Sequence, residues 1–356
     1  SVLLPEKIRI GCLADISGDN TPDIAVSYSK GNKGTVVFFD GLGRKIREMS
    51  CSFPSGNFEV KVRLVHDLDQ DGDAEVLCSV GTGHKLKPRG LICFSSRISK
   101  QKWYFPVGPM LVDMALGDID QDGRHDIVFG TYSLANGNSD NGMDDLHSYV
   151  VALDERGKLK WKKEMGEEFV GTAIVIGDFD RNCAHDVLAV SSAQWQFRSD
   201  TGAVVNISGR RGDIQAQYDS PWAMGRVWGI GSFSVCDYDR NEKDYEIVCG
   251  GHEGKVRLFD HRLRILKETD LGVEMSVWAT NDIDGDGDIE TLVVSRNPAE
   301  VILLDHDFSV MARYPIVQPN EHLSTFSICD ITGDGINDIL AVADRVRVLT
   351  IGGSAE

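Results

Sequence analysis

The chain has 356 residues, 42% of them hydrophobic and 26% charged, the composition of an ordinary folded protein. Its formal net charge of −18, with no basic stripe interleaved with aromatics, argues against nucleic acid as a partner. No apolar run approaches the ~20 residues of a membrane-spanning helix, so direct membrane insertion is not expected.

In chain order, a short apolar run, Val2-Leu3-Leu4, comes first. An acidic loop, DISGDNTPD (Asp15 to Asp23), follows, then a β-branched run DIAVSY and a hairpin TVVFFD-GLG-RKIREM. The same order recurs. The second loop is DLDQDGDAE (Asp67 to Glu75), leading into EVLCSV, and the third is DIDQDGRHD (Asp118 to Asp126), leading into DIVFGTY. The fourth is DFDRNCAHD (Asp178 to Asp186), and the fifth is DYDRNEKDYE (Asp237 to Glu246), one residue longer than the rest. DIDGDGDIE (Asp282 to Glu290) and DITGDGIND (Asp330 to Asp338) complete the series. Hairpins YVVALDERGKLKWKKEM, KVRLFDHRLRILKETD and VILLDHDFSVMARYPI fall where the pattern requires them.

Seven loops at intervals of 45 to 60 residues, each flanked by several short strands, predict an all-β repeat fold. The expectation is a seven-bladed β-propeller of four-stranded antiparallel blades, one domain over residues 1–356. Blades would start near 7, 59, 110, 170, 226, 274 and 322, with strands A to D in each and the acidic loop joining A to B. The last unit has chain for only three strands, ending with Val346 to Ile351. Val2-Leu3-Leu4 would supply its fourth, closing the ring and removing two sheet edges.

Oxygen side chains at loop positions one, three, five and nine, with Gly often at six, are how a short chain wraps a hard cation. Calcium takes six to eight oxygens, magnesium prefers small hydrated shells, and zinc favours nitrogen and sulfur. Several structural Ca²⁺ ions are therefore expected. The strongest sets are Asp67, Asp69, Asp71 and Glu75; Asp118, Asp120, Asp122 and Asp126; and Asp282, Asp284, Asp286 and Glu290. Asp73, Arg124 and Asp288, at position seven, would offer backbone carbonyls. Loop four has Asp178, Asp180 and Asp186 but Asn182 at position five and Cys183 for the glycine. Loops one (Asp15, Ser17, Asp19, Asp23) and seven (Asp330, Thr332, Asp334, Asp338) substitute a hydroxyl at position three. Loop five departs from the pattern by its extra residue. About half of the chain's 55 acidic residues lie in these loops, so bound ions would bring the protein much nearer neutrality. The bland alternative is an Asp-rich turn that only hydrogen-bonds its own backbone.

The DxDxDGxxD loops followed by strands such as DIVFG resemble the FG-GAP/VCBS repeats of integrin-α-type seven-bladed propellers, over essentially the whole chain. The resemblance implies structural calcium in the A–B loops on one face and ligand or partner binding on the opposite one. Adhesion modules, lectins, polysaccharide lyases and scaffold subunits share such folds, so it names no single function. The reading is a non-catalytic binding or interaction module within a larger protein, with a protein or glycan partner. A polysaccharide-lyase-like enzyme or lectin, and a structural subunit of an assembly, are the alternatives.

Two long segments mark the expected binding face: Ser133 to Ser148, read as the B–C loop of blade three, and Ser208 to Met224, read as the D–A connection after blade four. The second offers Arg210, Arg211, Tyr218 and Trp222, with Trp195 from the B–C turn of blade four, the residue types of binding anchors. Lys85, Lys87 and Arg89 read as a solvated basic turn. No GxSxG, HExxH or phosphate-loop motif occurs, and Asp144, Asp145, His147 and Arg211 are not singled out for acid–base chemistry. Arg211-Gly212-Asp213 matches an integrin-recognition tripeptide, too short to carry weight.

The eight cysteines show no zinc spacing, and Cys78 and Cys93 are the one pair placed to meet across a hairpin. Calcium favours an extracytoplasmic location, unpaired cysteines a reducing one, and the balance leans outside the cytoplasm. A chain starting at Ser1 without Met, and without a signal peptide, reads as a processed or excised piece.

Overall fold

The computed structural model describes residues 8–54, 58–82, 87–193, 202–220, 233–296, 298–315, 325–333, 335–342 and 346–349. Strands account for all of its regular structure, and they follow the repeat. The first blade is β1 (Ile8–Ala14), β2 (Asp23–Lys30), β3 (Lys33–Phe39) and β4 (Lys45–Ser52); the second is β5 (Glu59–His66), β6 (Glu75–Gly81), β7 (Gly90–Ser95) and β8 (Lys100–Pro106). The third contains β9 (Met110–Gly117) and β10 (Asp126–Tyr132), then a small hairpin of β11 (Ser139–Asp140) and β12 (Met143–Asp144), then β13 (Ser148–Leu153) and β14 (Leu159–Gly166). The fourth is β15 (Val170–Gly177), β16 (Asp186–Ala193), β17 (Gly202–Ser208) and β18 (Ile214–Ser220). The fifth is β19 (Phe233–Cys236), β20 (Glu246–Gly250), β21 (Lys255–Phe259) and β22 (Ile265–Asp270), and the sixth β23 (Met275–Asn281), β24 (Glu290–Arg296), β25 (Ala299–Leu304) and β26 (Val310–Pro315). The last has three described strands, β27 (Thr325–Cys329), β28 (Asp338–Val342) and β29 (Val346–Leu349).

Within each blade consecutive strands pair antiparallel, and every acidic loop joins the first strand to the second. The fold is an all-β propeller of four-stranded antiparallel blades. Val2-Leu3-Leu4, the run expected to close the ring, lies outside the described residues, as do the positions near 226 and 322 expected to open two blades.

The inner strands carry long apolar runs because both of their faces are covered. Every residue of β10, β13 and β16 is buried, whereas all six residues of β26, an outermost strand, are exposed. Alternate residues serve alternate neighbours. In β6, Val76, Cys78 and Val80 pack with Val36, Phe38 and Met49 of the first blade. Leu77, on the other face, packs with Ile127, Phe129 and Val151 of the third. Blades five and six share a core of Val248, Leu258, Val277 and Ile302 in the same manner.

This alternation removes the one disulfide the sequence allowed. Cys78 lies opposite Ile92 and Cys93 opposite Leu77, one register step apart, so the two thiols face opposite sides of the sheet. The cysteines form no disulfides among the described residues, and Cys51, Cys78, Cys93 and Cys249 are buried as small apolar side chains.

Blades three and four are joined into one eight-stranded sheet through β10 and β15, where Tyr132 pairs with Gly171. Gly130 permits the approach: a Cβ there would lie 2.0 Å from the Thr172 carbonyl oxygen. The chain divides into two compact units, residues 1–177 with 184–189 and 208–213, and residues 178–183 with 190–207 and 214–356.

Candidate metal centres

Every acidic loop takes its shape from two left-handed residues. φ is positive at position four (Gly18, Gln70, Gln121, Arg181, Arg240, Gly285, Gly333) and at position six (Asn20, Gly72, Gly123, Cys183, Glu242, Gly287, Gly335). The reversals aim backbone amides at the carboxylates. Asp67 accepts hydrogen bonds from the N–H groups of Asp71 (3.1 Å) and Gly72 (2.9 Å), and Asp118 from those of Asp122 (3.0 Å) and Gly123 (2.9 Å). The ninth residue reaches back: Glu75 accepts from Leu68 N–H (2.9 Å), Glu246 from Tyr238 (2.7 Å), Glu290 from Ile283 (2.7 Å) and Asp338 from Ile331 (2.9 Å). So the loops do bond their own backbone, as Asx-turns would, but these bonds leave oxygens over.

Four loops each bring three carboxylates to where one oxygen of each lies within 4.8 Å of the others: Asp67, Asp69 and Asp71; Asp118, Asp120 and Asp122; Asp237, Asp239 and Glu246; Asp282, Asp284 and Glu290. Loops two, three and six were the strongest by sequence. Loop five was the irregular one, and its extra residue does not prevent Glu246 from opening β20 as Glu75 opens β6. In each of the four, one carboxylate oxygen is shut off from solvent without a hydrogen-bond partner: Asp69 Oδ1, Asp120 Oδ1, Asp237 Oδ1 and Glu290 Oε1. A sheltered anionic oxygen left this way is costly, and a cation would satisfy it. The fit is clearest at Glu290, whose side chain is fully buried. An all-oxygen donor set of this kind suits Ca²⁺.

The other three loops form no such cluster among the described residues. In loop four Asn182 Nδ2 donates to Asp180 (2.9 Å), turning one acidic group toward an amide, and Asp186, at position nine, is buried. In loop one Ser17 donates to Asp15 (3.3 Å), while Asp23 accepts from the Ile16 and Ser17 N–H groups, each at 2.9 Å. Asp19 binds the Thr21 N–H at 2.8 Å. In loop seven Asp330 accepts from Gly333 (2.6 Å) and Thr332 donates its N–H to Asp338 (3.1 Å), and Asp334 lies outside the described residues.

Burial raises the pKa of Glu75, Glu246 and Glu290, and pushes Asp126 up to about 6 against the opposing pull of Lys160. Lys102 Nζ lies 3.2 Å from Asp69 and 2.7 Å from Glu75; Lys160 Nζ lies 2.6 Å from Asp120 and 2.6 Å from Asp126. The motif reading missed both lysines. They come from the outermost strands β8 and β14, and the signal was the shared K-x-K-W of KQKW and KLKW.

Position seven has its own task. Asp73 accepts from Ser96 Oγ (2.7 Å) and the Arg97 N–H (2.7 Å), Arg124 pairs with Glu155 (2.6 Å), and Asp288 lies 3.5 Å from His306. Each ties the acidic loop to the C–D turn of its own blade. Position four reaches forward: Gln70 donates to the Gly123 carbonyl, and Arg181 pairs with Asp237 at 2.7 Å. Position eight reaches backward. His125 meets His66 (2.8 Å), His185 meets the Asp118 carbonyl (3.1 Å), and Asn337 donates to the Asp282 carbonyl (2.9 Å). The two histidines point to neighbouring loops, away from their own carboxylates.

The expected binding face needs correction. Residues 209–213 are the turn between β17 and β18, the third and fourth strands of blade four, so Ser208 to Met224 is not a D–A connection. IQAQYDS is a strand, its alternation hidden behind the turn-like Gly-Arg-Arg-Gly-Asp. Arg210 and Arg211 thus sit at the acidic-loop end of their sheet, where Arg211 pairs with Asp213 at 2.8 Å. Tyr218 lies in β18 against Phe259, with Arg257 5.7 Å from its ring centroid. Trp195 and Trp222 lie outside the described residues. Of the three described, Arg210 and Arg211 lie in the turn between β17 and β18, and Tyr218 lies within β18.

The other long segment, 133–147, does connect β10 to β13, at the end of the sheet away from the acidic loop. It is built around an ion pair. Arg89, read from sequence as part of a solvated turn, is buried, and its Nη1 donates to Asp145 Oδ2 (2.9 Å) and to the Gly108 carbonyl (2.8 Å). Asp145 Oδ1 accepts from the Gly137 (2.9 Å) and Asn138 (3.0 Å) N–H groups. Lys87 pairs with Asp140 at 2.9 Å, and Lys85 lies outside the described residues.

Residues 282–341 match the FG-GAP-like repeat family. Among solved structures the chain is similar to rhamnogalacturonan lyase YesW, with a TM-score of 0.58 at 14% identity over 88% of this chain and 64% of that one. It is also similar to the Bacillus licheniformis rhamnogalacturonan lyase PL11 (TM-score 0.57, 15% identity, 90% and 65% covered). BamB from Moraxella catarrhalis gives a TM-score of 0.51 at 12% identity, over 91% of this chain and 79% of that one. At these identities the likeness is one of fold. The chain spans somewhat less than two thirds of the length of the two lyases. No curated protein matches the sequence. The chain is a β-propeller carrying an FG-GAP-like repeat.

Proposed function

We propose that the protein is a calcium-stabilised propeller acting as a binding module, without catalysis of its own. The observation that carries the calcium reading is the repeated cluster of three carboxylates with one sheltered oxygen left over in each, most plainly Glu290 Oε1. The ion's role is structural: it fixes the turn between the first two strands of a blade, where like charges would otherwise repel. The binding role rests on segment 133–147, a long loop fixed by the buried Arg89–Asp145 pair and presenting exposed Leu146 at its surface. A protein or glycan partner fits such a preorganised loop.

The test has two parts. Metal analysis after equilibration with calcium and gel filtration should find bound ion, and chelation should lower the melting temperature; a metal-free protein with unchanged melting would refute the calcium reading. Incubation with rhamnogalacturonan and other acidic polysaccharides should then show no cleavage. Release of unsaturated sugars would replace the binding reading with the lyase activity named for the two similar structures.

A further inference from the structure

The four carboxylate clusters are of two kinds. In loops two and three the cluster is made by positions one, three and five; in loops five and six it is made by positions one and three with the closing glutamate, tenth in loop five and ninth in loop six. The difference coincides with the lysines. Lys102 bridges Asp69 and Glu75, and Lys160 bridges Asp120 and Asp126, positions three and nine in both cases. In blade two the ammonium takes up one oxygen of Glu75, whose other oxygen already accepts the backbone N–H at position two; in blade three it reaches both oxygens of Asp126.

The register of the outermost strands shows that the two lysines hold equivalent places. The C–D hairpins of blades two, three, five and six each have an irregularity beside the turn, where a residue of D is skipped in the pairing. Phe94 pairs with Gln101 and Cys93 with Trp103, leaving Lys102 between; Leu153 pairs with Leu159 and Ala152 with Trp161, leaving Lys160. The corresponding residue is Leu266 in blade five and Met311 in blade six. These side chains bring no charge. Arg181 touches the fifth cluster only at Asp237, and Arg240 approaches the sixth only to 3.9 Å, at Asp282.

We propose that Lys102 and Lys160 divide the calcium sites into two affinity classes, weak in blades two and three and tight in blades five and six. The proposal rests on the calcium reading above. A fixed positive charge beside the ion repels it, and the lysine competes for two of its best oxygens, which together weaken a site roughly tenfold or more. The weak pair would respond to changes in calcium while the tight pair stays filled.

Calcium titration of the chelator-stripped full chain by calorimetry tests this, with Lys102→Met and Lys160→Met as variants that copy Met311. The unaltered protein should show two classes of site, and each substitution should move one site from the weak class to the tight one. Unchanged titration curves in both variants, or weaker binding, would overturn the proposal while leaving calcium binding intact. No binding by any of the three proteins would overturn the calcium reading as well. A measurement on the unaltered chain guards against misfolded variants: acetylation of Lys102 and Lys160, followed by mass spectrometry, should rise only over the calcium range that fills the weak class. Labelling that rises with the tight class, or stays constant throughout, would overturn the proposal.

Discussion

The guanidinium of Arg89 and the carboxylate of Asp145 meet at 2.9 Å with side chains 0% and 1% exposed, joining the start of β7 to the long loop of the next blade. Fifty-six residues separate the two, and neither has water to fall back on. Removing one member of such a pair leaves a buried charge uncompensated, whereas replacing both need not. Asp145→Ala should therefore destabilise the protein by about 3–5 kcal/mol in urea unfolding. Arg89→Met combined with Asp145→Leu should recover much of that loss, and an additive double variant would refute the pairing as the cause.

Calcium should act on stability by mass action. At a hundredfold excess over Kd, each filled site adds about 2.7 kcal/mol. Glu290→Gln, which neutralises the buried carboxylate of the blade-six cluster, should reduce the difference in melting temperature between calcium and chelator, as followed by calorimetry.

Cys183 holds φ at 70°, in the place where Gly72, Gly123, Gly287 and Gly335 sit in other loops. A side chain in that region is strained by about 1–2 kcal/mol, partly offset by the greater freedom of glycine in the unfolded chain. Cys183→Gly should stabilise the protein by up to about 1 kcal/mol in urea unfolding. A loss of stability would show that the thiol makes a contact that outweighs the strain.

His147 supplies a pH dependence. Its Nδ1 lies 2.7 Å from Asp144 Oδ1, and this hydrogen bond, with the nearby Glu164 and Glu167 carboxylates, raises its pKa above the ordinary value near 6.5. The raised folded value means that its stabilisation is fully present below the unfolded pKa and is lost as pH rises through the folded one. Hydrogen exchange in residues 133–147, corrected for intrinsic rates, should therefore show weaker protection at about pH 8 than at about pH 6. His147→Gln should remove that dependence.

Much of the fold was readable because each blade repeats one pattern: an acidic loop, a strand buried on both faces, and a hairpin. Val76 to Cys78 and Ile127 to Phe129 are apolar at every position, so pattern alone placed them. Blade four was misread for a local reason. Gly209, Arg210, Arg211 and Gly212 look like the middle of a long connection, and the polar residues of β18 resemble loop as much as an outermost strand. Arg89 was missed because a charged residue near Pro88 reads as surface, and its partner lies a blade away. The carboxylate clusters were legible from spacing, whereas only the shared K-x-K-W hinted at Lys102 and Lys160, since register irregularities decide where they point. Left-handed residues at position four were hidden too, as Gln70, Gln121, Arg181 and Arg240 give no sign of positive φ.

The forward reach of position four and the backward reach of position eight make loops two to seven shared properties of two blades. Gene duplication of one repeat would copy Gln70 or Arg181 without guaranteeing a carbonyl or carboxylate for it to meet. His185 would likewise need a new Asp118. Blades of this protein are therefore poor interchangeable parts. Swapping one for a homologous blade should disturb both flanking junctions, and grafts that carry a pair of adjacent repeats should be tolerated better than single ones.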